Sequence, residues 1–166
     1  GLLYDRSEEG LISDGSVPLS RREARGVMRN YYARLAGYVR WRKGIYRQVH
    51  EKHYVETPLG RRRRFPMIPP DKKLIGDIRR EAIAFLPQSS ANDATLFSLT
   101  KLHEMGYDLR LTVHDSIMVQ VPRDEAEDYQ HEMEETMERA AAELYGDLIP
   151  YEVESDVGRD WGSLDA

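Results

Sequence analysis

The sequence predicts a mixed α+β fold, and three observations carry that reading. Apolar residues recur at helical spacing over several long stretches. Two short runs, 109–113 and 117–121, alternate apolar and other residues on either side of His114-Asp115-Ser116. Short extended segments flank Pro58-Leu59-Gly60, a turn-forming triplet.

The elements follow in order. The chain opens on Gly1-Leu2-Leu3-Tyr4, with no initiator Met and a Gly- and Ser-containing stretch to residue 17. Ser20 and Glu23 form a capping box, in which each side chain satisfies an orphan backbone N–H of a helix start. The apolar and aromatic stripe that follows runs through Val27, Met28, Tyr31, Leu35, Tyr38, Val39, Ile45, Tyr46 and Val49. Gly37 is expected to divide it into helices near 20–35 and 38–53. Residues 54–57 and 64–65 predict a hairpin with a basic tip, and 67–70 a Pro-rich connector.

A further helix carries Leu74, Ile75, Ile78, Ala82, Phe85 and Leu86, and Pro87 is expected to interrupt it. A second stretch near 90–105 ends at Gly106, a C-terminal stop signal. The runs around 114–116 predict a β-hairpin with an exposed polar tip. Ala126, Tyr129, Met133, Met137, Ala140 and Leu144 define a long helix at 124–145 whose opposite face is acidic. Residues 151–154 read as a last strand.

The 166 residues suffice for one domain or two small lobes. No apolar run approaches the roughly 20 residues of a membrane span, and no signal peptide opens the chain. Cysteine is absent, which excludes disulfides, thiolate metal sites and cysteine nucleophiles. The net charge of −5 averages two unlike halves. Residues 1–80 hold 19 Lys and Arg against 9 Asp and Glu; residues 81–166 hold 5 against 20. A basic half suits a polyanion partner, and equally suits attraction between two solvated faces.

Three groups carry candidate chemistry. His114-Asp115 stands at the hairpin tip, where Asp115 offers one carboxylate to a divalent cation; a simple turn also uses such residues. Arg61-Arg62-Arg63-Arg64 follows Gly60, and arginine forks bind phosphate well, although a solvated basic turn looks the same. Arg80 and Gln88 lie eight residues apart, and Gln suits base edges because it both donates and accepts. An ordinary helix surface carries such side chains too.

In this order, the three groups resemble those of family A DNA polymerases, a class that includes many phage replicases. The matching segments are 54–63, the stretch from Arg80 to Asp93 with Gln88 central, Val113-His114-Asp115-Ser116, and the tail from Val153-Glu154 to Gly158-Arg159-Asp160-Trp161. The resemblance implies that Asp115 is a metal-binding aspartate and that His114 contacts the primer terminus. It implies minor-groove contacts for Arg80 and Gln88 and template-backbone contacts for Arg62 and Arg63. Gly1-Leu2-Leu3-Tyr4 resembles the end of the fingers helix, with Tyr4 near the templating base.

The same resemblance implies a helical fingers part at 1–70 and a palm part at 71–166, with helices packed behind an antiparallel sheet. That sheet would contain the 109–121 hairpin and the 151–154 strand, and a partner would add a strand at its open edge. Three positions depart from the family pattern: Asp5 stands where Gly is usual, Ala84 where Asn is common, and Ser116 where an acidic residue is usual. The other metal-binding aspartate and the triphosphate-binding Lys and Arg of the family find no counterpart in this chain, and Asp14 does not resemble the former.

The resulting expectation is the C-terminal subunit or fragment of a DNA-directed DNA polymerase, split within the fingers motif. It would work with Mg²⁺ on primer–template DNA and deoxynucleoside triphosphates, beside an N-terminal polymerase partner. The expected setting is the cytoplasm of a bacterial or phage-infected cell, away from membranes. Two alternatives are a non-catalytic nucleic-acid-binding module and a fragment of a single-subunit RNA polymerase, a related family that also carries His-Asp-Ser.

Overall fold

The computed structural model describes residues 2–4, 6–13 and 18–164. Gly1, Asp5 and Asp14, each singled out in the sequence, lie outside the described residues. The fold is α+β, with long helices and two small antiparallel hairpins. The helices are α1 (Glu8–Ser13), α2 (Arg21–Arg34), α3 (Ala36–Lys52), α4 (Lys72–Glu104) and α5 (Ala126–Tyr145). The strands are β1 (Tyr54–Glu56), β2 (Arg62–Arg64), β3 (Asp108–Val113) and β4 (Ser116–Gln120). They form two compact units, one ending at Ser89 and the other beginning at Ser90. The boundary drawn from the sequence, at 70/71, falls inside the first unit.

In the first unit, Ser20 caps α2 as expected. Its hydroxyl accepts the Glu23 N–H at 3.3 Å, and the Glu23 carboxylate accepts the Ser20 N–H at 2.9 Å. The Ser20 hydroxyl also donates to that carboxylate at 2.6 Å, and this bond, together with the one from the Ser20 N–H, holds the Glu23 carboxyl below its usual range. The break between α2 and α3 comes at Leu35, whose φ/ψ of −115°/50° is not helical, and Gly37 lies inside α3. Helix α3 stops at His53, a left-handed residue with φ 59°.

The β1–β2 hairpin pairs Tyr54 with Arg64, Val55 with Arg63 and Glu56 with Arg62. Its loop closes through buried Thr57, whose hydroxyl accepts the Arg61 N–H at 3.1 Å, and through Gly60 at φ 85°. Ile45, Val49, Val55, Phe65, Ala82 and Ile83 form the core that joins α3, the hairpin and the first half of α4. Each large side chain buried there contributes roughly 1.5–3 kcal/mol.

Helix α4 is the main departure from the sequence reading. Asp71 caps it by accepting the Lys73 and Leu74 N–H groups at 2.9 Å each. The helix then runs 33 residues, with Pro87 in its interior. An interior proline costs about 3 kcal/mol, chiefly by deleting one backbone bond and crowding the preceding turn. Burial of Ala82 and Ile83 before it and of Leu102 after it outweighs that local cost.

In the second unit, α4 ends in a Schellman turn. The Tyr107 N–H reaches the Leu102 carbonyl at 3.1 Å and the Gly106 N–H reaches His103 at 3.0 Å. Gly106 sits at φ 89°, and a Cβ at this position would meet nothing within 4 Å, so only its backbone freedom is at stake. Gly106→Ala is therefore expected to cost about 1–2 kcal/mol in urea unfolding, with no change in the packing around it.

Leu102, Tyr107 and Ile117 form the second core, joined by Leu99, Leu109, Val119, Tyr129, Met133 and Met137. The Tyr107 hydroxyl donates to the Glu132 carboxylate at 2.7 Å. Burial and then that carboxylate push the phenol well above its ordinary pKa. The apolar stripe of α5 is thus core, as its spacing predicted.

The expected strand at 151–154 does not form; that segment is irregular. Side chains of α5 contact the backbone at Val153 and Ser155 instead of a strand ladder. Glu138 accepts the Val153 N–H at 3.3 Å, and Gln130 donates to the Ser155 carbonyl at 3.0 Å. An alternating pattern becomes a strand only where a sheet edge faces it. The sheet is accordingly two-stranded rather than three-stranded.

Candidate functional site

The β3–β4 hairpin presents His114 and Asp115. Val113 pairs with Ser116, so these two residues are the whole turn. His114 takes φ 54°, a region that non-glycine residues rarely occupy. Such strain persists where surrounding structure imposes it, and it concentrates at functional turns. The Ser116 hydroxyl donates to the Val113 carbonyl at 2.8 Å and braces the turn from inside. Both His114 and Asp115 are exposed.

A β-bulge sets how the tip is carried. Leu109 pairs with Val119, but Leu111 pairs with Met118, so β3 holds one extra residue, Arg110. Strand faces alternate with period two, so the bulge turns Leu111 away from the face of Leu109. Leu109, Ile117 and Val119 pack on the core, while Leu111 is 41% exposed. The sequence alternation had placed Leu109, Leu111 and Val113 on one face.

The first unit holds the other candidates. Arg80, Ala84 and Gln88 follow one another at i, i+4 and i+8 along α4, a ridge about 12 Å long at 1.5 Å per residue. Gln88 is exposed, and Arg80 is partly exposed and paired with Asp77. Arg63 pairs with Glu81, the neighbour of Arg80, and so ties the β1–β2 hairpin to this helix. Arg62 pairs with Glu56 and lies 4.7 Å from the Tyr54 ring centre. The Glu56 carboxylate raises the Arg62 pKa further. Exposed pairs of this kind are worth about 0–1 kcal/mol, so a phosphate can compete for these arginines.

Tyr4, 41% exposed, ends the short turn Leu2–Tyr4. Tyr32 donates to the Leu2 carbonyl at 3.0 Å and Tyr38 to the Leu3 carbonyl at 2.6 Å. The two rings stack with centres 6.2 Å apart, and the Arg42 guanidinium lies 4.4 Å from the Tyr32 ring centre. In the sequence Tyr38 is one position of the apolar and aromatic stripe, and only the fold gives it this anchoring role. Its signal was the interleaving of tyrosines with arginines over 31–47.

Among the described residues, no group of three or more His, Asp or Glu converges to hold a metal ion. Asp115 suits Mg²⁺ as a hard oxygen donor, but it supplies one ligand of an octahedron. Of the predicted residues, Tyr4, Arg62, Arg63, Arg80 and Gln88 belong to the first unit, and His114 and Asp115 to the second.

A family model described as DNA polymerase family A matches residues 1–163. The chain belongs to DNA polymerase family A. It is 30% identical to DNA polymerase I of Lactococcus lactis subsp. cremoris over 168 residues, covering 97% of this chain and 18% of that protein. It is 28% identical to the thermostable DNA polymerase I of Thermus aquaticus over 166 residues, covering 97% and 19% respectively. The chain thus spans about a fifth of the length of these curated relatives. Its structure resembles the POL domain of Pol1 from M. smegmatis, solved in complex with DNA primer-template and dNTP. The TM-score is 0.71 and the identity 27%, over 84% of this family A chain and 26% of that one. No helix among the described residues is long and apolar enough to cross a membrane.

Proposed function

We propose that this family A chain supplies the metal-binding tip and primer–template contacts of a DNA-directed DNA polymerase. The observation that carries the reading is the strained two-residue turn His114-Asp115, raised on a bulged hairpin in a chain of this family. Asp115 would hold Mg²⁺ through its carboxylate, and an N-terminal polymerase partner would bring the second carboxylate. The chemistry that Mg²⁺ would supply there is activation of a hydroxyl and neutralisation of phosphate charge.

The chain's own residues position the DNA. His114, fixed by its turn, contacts the primer terminus. Arg80 and Gln88 reach the minor groove from one ridge of α4, where Ala84 leaves a gap between them. Arg62 and Arg63 exchange their carboxylate partners for template phosphates, and Tyr4 meets the templating base. These roles divide between a fingers part at 1–70 and a palm part at 71–166. The substrates are deoxynucleoside triphosphates, and the setting is the cytoplasm of a bacterial or phage-infected cell.

Primer extension tests the proposal, first with the chain alone and then with an N-terminal family A fragment carrying the other aspartate. Extension is expected only in the mixture, and only with Mg²⁺ present. Robust incorporation by the chain alone removes the need for a partner. Salt-sensitive duplex binding without activity under any complementation favours a binding module, and preference for ribonucleotides favours the RNA polymerase reading.

A further inference from the structure

We propose that Arg40, Lys43 and Arg47 on α3 form a second nucleic-acid contact, a stripe that binds backbone phosphates outside the active-site ridge. The proposal rests on the polymerase reading above. The three residues stand at i, i+3 and i+7, so they share one helix face. All three are exposed, and α3 turns its buried Ile45 and Val49 to the core on another side.

They differ from the arginines that carboxylates already hold. Arg21 and Arg25 pair with Glu8, Arg62 with Glu56, Arg63 with Glu81 and Arg80 with Asp77. Arg40, Lys43 and Arg47 have no ion-pair partner among the described residues. Glu51 lies one turn beyond Arg47 and does not pair with it. Residues 21–52 hold 10 Lys and Arg against 2 Glu, so this stretch carries little internal countercharge.

Unpaired cations on one face complement a regular polyanion. From Arg40 to Arg47 the helix rises about 10.5 Å at 1.5 Å per residue. Phosphates of one duplex strand recur about every 3.4 Å along the axis. The stripe therefore spans about three phosphate steps, enough for each cation to meet its own phosphate. Such contacts carry affinity and salt dependence, not sequence choice.

The test uses the full chain, a labelled primer–template duplex and fluorescence anisotropy at about 50–200 mM salt. Each lost phosphate contact lowers the log–log salt slope by about 0.9. R40Q/K43Q/R47Q is expected to lower it by about 2–3 and to weaken binding at least about tenfold at the low-salt end. R40Q and R47Q alone should each remove about 0.9, and R40K/R47K should keep the wild-type slope. Gln preserves helix propensity, and the single variants stand if the triple variant loses its helical circular dichroism.

An unchanged slope in the single variants overturns the stripe. If Arg80→Ala weakens binding while the stripe variants do not, only the stripe is lost and the polymerase reading survives. If the wild-type chain shows no salt-dependent DNA binding, the stripe is overturned, while extension in the complemented mixture still decides the polymerase reading. A loss of self-association in the triple variant, with an unchanged DNA slope, assigns the face to an acidic surface of a second copy and also overturns the proposal.

Discussion

Asp115→Asn is expected to lower primer extension by about three orders of magnitude in the complemented polymerase, with folding intact. A three-decade loss corresponds to about 4 kcal/mol of transition-state stabilisation. Asn keeps the size of the side chain but removes the charge that the proposed Mg²⁺ contact requires. Asp115 is exposed at a turn tip, so the substitution empties no core space. Thermal unfolding should therefore stay within about 0.5 kcal/mol of wild type, the usual range for surface changes. Near-normal extension, with the same unfolding midpoint, would remove Asp115 from the metal site.

Leu102→Ala is expected to produce the largest loss of stability. Leu102 is fully buried and packs with Tyr107 and Ile117 in the second unit. It also supplies the carbonyl that closes the Schellman turn. Truncating a buried Leu costs about 2–5 kcal/mol, through lost transfer energy and the cavity left behind. For a unit of this size, each kcal/mol lowers the melting temperature by roughly 4–8 °C. The same packing holds the hairpin that carries His114 and Asp115, so extension should fall with temperature earlier than in wild type. A loss under about 1 kcal/mol in urea unfolding would mean that this core is not what supports the hairpin.

Much of the fold was legible in short-range patterns. The Ser20–Glu23 box, the stripe of α5, the Gly106 stop and the turn at 114–115 each depend on neighbours within a few residues. Local rules describe them for that reason. The ordered motifs likewise pointed to the family that the match over residues 1–163 establishes.

Three departures come from how segments pack and pair. Pro87 carries a local penalty, yet α4 continues through it because cores on both sides bury its faces. Leu109 and Leu111 alternate in sequence, yet a single extra residue at Arg110 sends them to opposite faces. Residues 151–154 alternate too, yet no sheet edge pairs with them, and α5 side chains bind the backbone of Val153 and Ser155 instead.

By itself the sequence determined the α+β class, most helix ends, the polar hairpin tip and the family. Each is written in spacing or in side chains close along the chain. Only the tertiary structure decided the unbroken α4, the bulge under the His114-Asp115 tip, and the sorting of arginines into paired and unpaired sets. Those outcomes depend on which carboxylate, ring or edge arrives from a distant part of the chain, and burial energy there exceeds the local preference it overrides.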